Sequence, residues 1–194
     1  INDLIITAFL RALIQAGKWD GRSALRIQLT TDLRKWYLPA KGGGGICNLT
    51  GFEYVNLGTD PGSDFEATLA RTNAITRARK ASYFGLSEVC LVPLLNLLPH
   101  NWLVTMLGWI TRQRTAQKNL PPALTNVGPI PPEILTFDQS PRNAWGLPPV
   151  IYPPSFSLGV TGYAGSMTLS AGFCKSSAAI IEAFMEQMAN ELPA

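Results

Sequence analysis

The chain has little charge, one histidine and no paired cysteines. Charged residues make up 15% of its 194 positions, against about a quarter in ordinary soluble domains. Hydrophobic residues reach 46%. Such a chain either packs a large core or leaves an apolar face for a partner. The net charge is +3, and the only basic clusters are Arg71, Arg77, Arg79 and Lys80, and Arg112, Arg114 and Lys118. Each reads as a solvated helix face or end, which argues against nucleic acid as a partner. The cysteines, Cys47, Cys90 and Cys174, are three in number and far apart. Without a C-x-x-C pair they indicate neither a zinc site nor a disulfide framework, so no metal is expected, and reduced thiols of a cytoplasmic protein are. No signal peptide is present. Asn48-Leu49-Thr50 fits a glycosylation sequon, a tripeptide common by chance. The most apolar stretch, 89–110, is interrupted by Pro93, Asn96, Pro99, His100 and Asn101, so no membrane span is expected. The length suits one good core, and 1–194 is read as a single domain.

The stretch that is plainly written is the first. Residues 1–15 read as a helix that is apolar on almost every side. Its polar stripe is Asp3, Thr7, Arg11 and Gln15, stacked in one line by their spacing of four. Such a helix belongs in a core, and unpaired buried charges are costly, so Asp3 or Arg11 should find a partner across it. Asn2 and Asp3 sit where a cap and a first-turn acid belong. The chain starts with isoleucine, and a core helix at the very start is read as the second half of something larger.

Gly17 is the expected C′ residue of this helix. Leu25, Ile27 and Leu29 alternate with Arg26, Gln28 and Thr30, as in a strand with one buried face. Four glycines at 42–45 form a loop before an extended segment over 46–57. Ser63-Asp64-Phe65-Glu66 reads as a capping box with Ser63 as the cap. The helix it starts should run to about Ala81, with Phe65, Leu69, Ile75 and Ala78 toward the core. Residues 86–117 read as helical in pieces, broken at Pro93 and Pro99 and stopped by Pro121-Pro122. A short strand is expected over 123–129, then a long ordered loop over 129–154 of the kind that is usually functional. Strands over 156–161 and 166–173 should form a hairpin around Gly162-Tyr163-Ala164-Gly165. A last helix from about Ser176 carries Ile180, Ile181, Phe184, Met188 and Leu192 on one side. The order implies an α/β or α+β layered domain, and the fold is read as α/β, a two-layer sandwich of a mixed sheet with helices.

These residues hold no complete catalytic set. His100 lies in Leu98-Pro99-His100-Asn101-Trp102, where a structural role at a helix break outweighs that of a general base. Ser166 follows Gly165, but Tyr163 and Thr168 stand where a G-x-S-x-G elbow needs glycine. A hydrolase using Ser166 and His100 is the weakest reading. The glycines at 42–45 lack the Gly-Lys-Ser/Thr of a phosphate loop. Asp32 and Arg34, one residue apart, share a face and suit a structural ion pair tying this strand to a neighbouring element.

Several stretches in order are similar to the C-terminal half of the acyltransferase superfamily that includes chloramphenicol acetyltransferase, nonribosomal peptide condensation domains, alcohol acyltransferases and wax ester synthases. Residues 2–13 resemble the Asn-Asp helix that opens that half. Thr31-Asp32-Leu33-Arg34 resembles the strand end that follows it, and Asn48-Leu49-Thr50-Gly51 the segment after the glycine loop. Thr125-Asn126-Val127-Gly128-Pro129 is similar to the Asn-x-Gly strand, and 158–169 to the last hairpin. The resemblance implies one half of a V-shaped enzyme that moves an acyl group from a thioester to an alcohol or amine. The catalytic His-His-x-x-x-Asp motif lies in the other half, and this chain lacks it: Pro99 precedes His100, and Val104 stands where the aspartate would be. The resemblance assigns no catalytic residue here. It implies a substrate-tunnel wall of Asn126, Gly128, Tyr163 and Ser166, able to position the thioester or hold an oxyanion, and a subdomain junction at Asn2 and Asp3. Coenzyme A or phosphopantetheine thioesters would be substrates, with no tightly bound cofactor. The N-terminal catalytic half, in the same gene or a separate chain, would be the partner, with an acyl carrier protein as a further candidate. The alternative is a non-catalytic condensation-like interaction or scaffold domain.

Overall fold

The computed structural model describes residues 2–36, 50–82, 85–86, 95, 97–116, 120–135, 137–139, 141–151 and 155–192. Five strands form one mixed sheet in the order β2-β1-β3-β4-β5. They are β1 (Leu25–Asp32), β2 (Thr50–Gly58), β3 (Ala123–Pro129), β4 (Ser157–Tyr163) and β5 (Ser166–Gly172). The pairs β1–β3 and β3–β4 are parallel, and β1–β2 and β4–β5 are antiparallel. The α-helices are α1 (Asn2–Ala16), α2 (Phe65–Ala81), α3 (His100–Ala116) and α4 (Ala178–Glu191). The α/β layered fold expected from the sequence is the fold observed.

α1 is the central helix. It packs against α2 and α4 on its flanks and shares one apolar core with the sheet. Phe9 is fully buried and meets Phe156 in a stack at 5.7 Å and Phe184 edge-on at 4.9 Å, while Phe156 and Phe184 close the triangle at 4.9 Å. Edge-on and offset pairs match the negative face of one ring to the positive edge of another. The polar stripe finds partners on both flanking helices. Thr7 donates to the Asp3 carbonyl at 2.7 Å, and the Thr76 hydroxyl donates to the Asp3 carboxylate at 3.0 Å. Arg11 lies 3.7 Å from Glu191, and Gln15 donates to the same carboxylate at 2.7 Å. The stripe is therefore a polar seam between helices.

Several local expectations change. α1 ends in a Schellman motif, with Trp19 N–H donating to Ile14 O at 3.2 Å; its left-handed residue is Lys18 (φ 47°), not Gly17. The cap of α2 is Asp64, not Ser63: its carboxylate accepts Ala67 N–H at 2.8 Å, and Ser63 donates its hydroxyl to that carboxylate. Asp64 is the residue three before a free N–H, so the charged acceptor takes the cap. The core face of α2 is Thr68, Thr72 and Thr76, spaced by four. Phe65 and Ile75 pack beside it, but Leu69 and Ala78 line a shallow outer recess. Small threonines let α2 approach α1 closely, and Thr68 and Thr76 satisfy their hydroxyls on the helix backbone at 2.8 and 3.2 Å. On α4, Ile181, Phe184 and Met188 are buried as expected, whereas Ile180 is 62% exposed. The hairpin loop has two residues, Ala164 (φ 47°) and Gly165 (φ 80°), with Tyr163 paired to Ser166. Two successive positive φ angles suit the right-handed twist of the strands. The glycine run 42–45, the segment 46–49, and Cys47 and Cys90 lie outside the described residues.

The two hydrogen bonds at Asp64 hold its carboxyl below the usual carboxylate value. The charged form is thus favoured in the fold. The cap's contribution is complete above the ordinary carboxylate range and is lost as pH falls through the lowered value. The protection factor of the Ala67 amide is expected to fall as pH drops through that lowered value, while core amides keep theirs. Asp64→Asn is expected to flatten that response.

The connection from β3 to β4 explains the long loop. Parallel neighbours require the chain to travel back along the sheet. Here residues 141–149 of the return run over the face opposite α1, α2 and α4. Sheet hydroxyls clamp it there. Tyr163 donates to Pro141 O at 3.0 Å, Ser170 to Gly146 O at 2.6 Å and Ser157 to Pro149 O, while Thr161 accepts Gly146 N–H at 3.2 Å. Successive contacts run from the end of β4 toward its start, so the loop lies antiparallel to the strand beneath it. Prolines suit this path because they bring carbonyl acceptors and no N–H to satisfy.

Candidate functional site: a groove at the sheet end

α1 ends where β1 begins, so its N-terminus lies at the carboxyl ends of the parallel strands β1, β3 and β4. Open α/β sheets bind ligands outside those ends. A groove of about 850 Å³ crosses this edge, lined by Asn2 and Ile5 of α1, residues 126–133, and Val160 and residues 162–167 of the β4–β5 hairpin. A smaller recess of about 220 Å³ adjoins it, shares Asn2, Ile5 and Asn126, and adds Asp3, Thr30, Thr31, Thr76 and Lys80.

The four residues expected for a tunnel wall all line the larger groove. Asn126 stands opposite Val160 on the helix-bearing face of the sheet. Its side-chain N–H donates to Asn2 Oδ1 at 2.5 Å, and its Oδ1 accepts Gly128 N–H at 2.9 Å. These bonds hold a bulge, because the β3–β4 register shifts between Asn126 and Gly128. Gly128 has φ +79°, which only glycine adopts without strain. The bulge pushes Val127 outward to 60% exposure and aims Asn126 at α1.

Tyr163 lines the groove from within the sheet. It is buried, on the opposite face of the sheet, and its hydroxyl is spent on Pro141 O. That bond ties the end of β4 to the proline-rich loop. Ser166 is exposed at the hairpin mouth. His100 starts α3 and lines neither recess, and no hydrogen bond joins it to Ser166, so the hydrolase reading finds no support.

Of the two junction residues, Asn2 bridges α1 to β3, and Asp3 serves the seam with Thr76 while lining the smaller recess. Asp32 and Arg34 form an ion pair at 3.2 Å, with Asp32 also accepting Arg34 N–H at 2.9 Å. Both are exposed, and the bonds close the local turn after β1 without tying it to another element. Such surface pairs contribute little.

Three features escaped the sequence. Lys80 joins Asp3 in the smaller recess, Glu133 sits on the rim of the larger one, and Glu53 is buried on β2. Glu53 faces Arg79 at 3.7 Å and accepts Tyr54 N–H and Gly85 N–H at 3.1 and 3.4 Å. The alternation of β2 predicts an inward residue at 53, and the charge there hid it. Among the described residues no cluster of histidine, cysteine or carboxylate could hold a metal, and no helix is long and apolar enough to cross a membrane.

No family model matches the sequence, and no curated protein matches it. Solved structures do match. The epimerization domain from the third module of tyrocidine synthetase B aligns with TM-score 0.54 at 14% identity, over 99% of this chain and 41% of that one. Polyketide synthase associated protein 5 from Mycobacterium tuberculosis aligns with TM-score 0.52 at 15% identity, over 96% of this chain and 43% of that one. A structure of condensation-domain-mediated chain release from the enacyloxin polyketide synthase gives 0.49 at 17%, over 98% and 35%. The chain spans about two fifths of the length of the first two of these. At such identities the likeness concerns the fold.

Proposed function

Starting from a chain that has the fold seen in these condensation-type structures, we propose that it is the C-terminal half of an acyltransferase or condensation enzyme. The enzyme moves an acyl group from a thioester, on coenzyme A or on the phosphopantetheine of a carrier protein, to an alcohol or amine. The observation that carries this reading is the open groove at the sheet end, built around Asn126 and lined by neither histidine nor cysteine. A general base must reach the acceptor proton within hydrogen-bond distance, and the groove offers no imidazole for it, its one carboxylate being Glu133. The base is the histidine of a His-His-x-x-x-Asp motif on the other half.

In this mechanism the acceptor hydroxyl or amine loses its proton to that histidine and attacks the thioester carbonyl. The tetrahedral intermediate collapses with release of the thiol, which takes the proton back. This chain supplies the second wall. Asn126, fixed by Asn2 and by the Gly128 bulge, is the positioning residue of that wall. The smaller recess, with Lys80 and Asp3, extends the cleft.

The test is thiol release from a panel of acyl-CoA and carrier-bound donors, with alcohols and amines as acceptors. The isolated chain is expected to be inactive, and the chain together with the half bearing an intact histidine motif to be active. Asn126→Ala in that active protein is expected to lower kcat/KM about tenfold, with its melting temperature largely kept. An intact motif with no transfer from any donor sinks the enzyme reading and favours a scaffold domain.

A further inference from the structure

α3 has no buried residue, although its sequence is largely apolar. Trp102 is 73% exposed and Trp109 61%, with Val104 and Leu107 also open. Trp102, Thr105, Met106 and Trp109 line a shallow recess on its surface. The two indoles alone present roughly 300 Å² of contact surface. At about 100° per residue, Trp109, Trp102, Met106, Ile110, Leu103 and Leu107 fall in one arc of about 160°, and Val104 widens it to about 220°. His100, Thr111, Gln113 and Arg114 share the wider arc, but the large side chains of 102–110 make one continuous apolar face, and such a face is built to be covered.

We propose that this face of α3 is the docking surface for the polypeptide that completes the fold. This rests on the reading of the chain as one half of an acyltransferase. Three observations select that occupant. First, the structures sharing this fold are more than twice as long as the part this chain matches, since it covers 41% and 43% of them. Second, Gln113 projects between Trp102 and Met106, and a polar side chain among the anchors suits a protein surface that can hydrogen-bond it better than acyl chains. Third, Arg114 falls inside the apolar arc, between the directions of Leu103 and Leu107. A guanidinium there suits a partner carboxylate better than acyl chains. The sequence has no acidic residue between Glu88 and Glu133, while Arg112, Arg114 and Lys118 lie in that interval. The partner surface is therefore apolar, with hydrogen-bonding groups within it and an acidic edge. Exposed tryptophans flanking a methionine are the residue types that dominate such interfaces.

The test is site-specific photocrosslinking in the protein as expressed from its own gene in its own cells. p-Benzoylphenylalanine replaces Trp102 or Trp109, and crosslinked peptides are identified by mass spectrometry. Crosslinks are expected to a segment outside these 194 residues that belongs to the half with the His-His-x-x-x-Asp region, in the same chain or a separate one. Crosslinks to lipid, to a second copy of this chain or within 1–194, or no crosslink, overturn the proposal. Trp109→Glu is expected to weaken association of the two halves at least tenfold, and Asn101→Asp, on the opposite side of the helix, to leave it unchanged. The two proposals fail separately. Crosslinks to a half whose histidine motif is broken keep the docking surface and refute acyl transfer. Transfer activity without the crosslink does the reverse.

Discussion

Phe9→Ala is expected to cost about 3–5 kcal/mol, the range for deleting a fully buried aromatic ring. The ring is the vertex where α1, the segment before β4 and α4 meet, through Phe156 and Phe184. Removing it leaves two rings facing a void that neither helix can close, because α1 is held on both sides by the Asp3–Thr76 and Arg11–Glu191 contacts. Total stabilities of single domains are about 5–15 kcal/mol, so the variant should unfold at far lower urea or fail to fold at 37 °C. Ile180→Ala removes a similar volume from the solvent side of α4 and should change stability by less than about 0.5 kcal/mol. Equal effects of the two substitutions would show that α4 does not pack as described.

Gly172→Val tests the other face. A Cβ at Gly172 would lie 2.8 Å from the carbonyl oxygens of both Pro148 and Pro149, and one at Gly159 would lie 3.2 Å from Pro148 Cδ and 2.9 Å from Ser170 Oγ. Apart from Ser170 Oγ, a side-chain atom of β5, these are backbone and ring atoms of a clamped segment, so the loop must lift. The expected loss is about 1–3 kcal/mol, with new protease cleavage inside 141–151 and the helix-side core intact. Gly108→Ala, where an added Cβ meets nothing within 4 Å, is the control and should be neutral or slightly stabilising. If Gly172→Val leaves the loop resistant to protease, the loop is not seated on the sheet through these contacts.

What the sequence disclosed and what it hid divide along physical lines. Periodic signals survived: the all-round apolar helix at 1–15, the alternation of β1, the short strand over 123–129 and the core stripe of α4. They reflect burial, which is written in residue type. The misplacements came where short-range geometry competes. Ser63 and Asp64 are both good caps, and only the direction of the chain decided between them. Gly17 precedes the left-handed position that Lys18 occupies. The α2 face deceived because threonine reads as polar, yet its methyl packs, and at Thr68 and Thr76 the hydroxyl bonds the helix backbone. The groove was legible through resemblance alone. Nothing in residue type says that Asn126 and Asn2, 124 positions apart, share a hydrogen bond. Nor does it say that Tyr163 turns its hydroxyl to the loop. Those are consequences of a bulge and of sheet order, which no local pattern encodes.

The proline-rich crossover also governs how this protein can be watched. Its hold on the sheet consists of side-chain hydroxyls donated to carbonyls, and Gly146 is the one described residue of 141–151 whose N–H bonds back to the strands. The segment can therefore detach while every strand-to-strand bond stays closed. Amide exchange, which reports broken N–H bonds, would record that event at a single position. The indole of Trp145, half out of the solvent boundary at 53% exposure, would register it as a change in emission. A protein judged rigid by one method would prove to be opening its second face by the other.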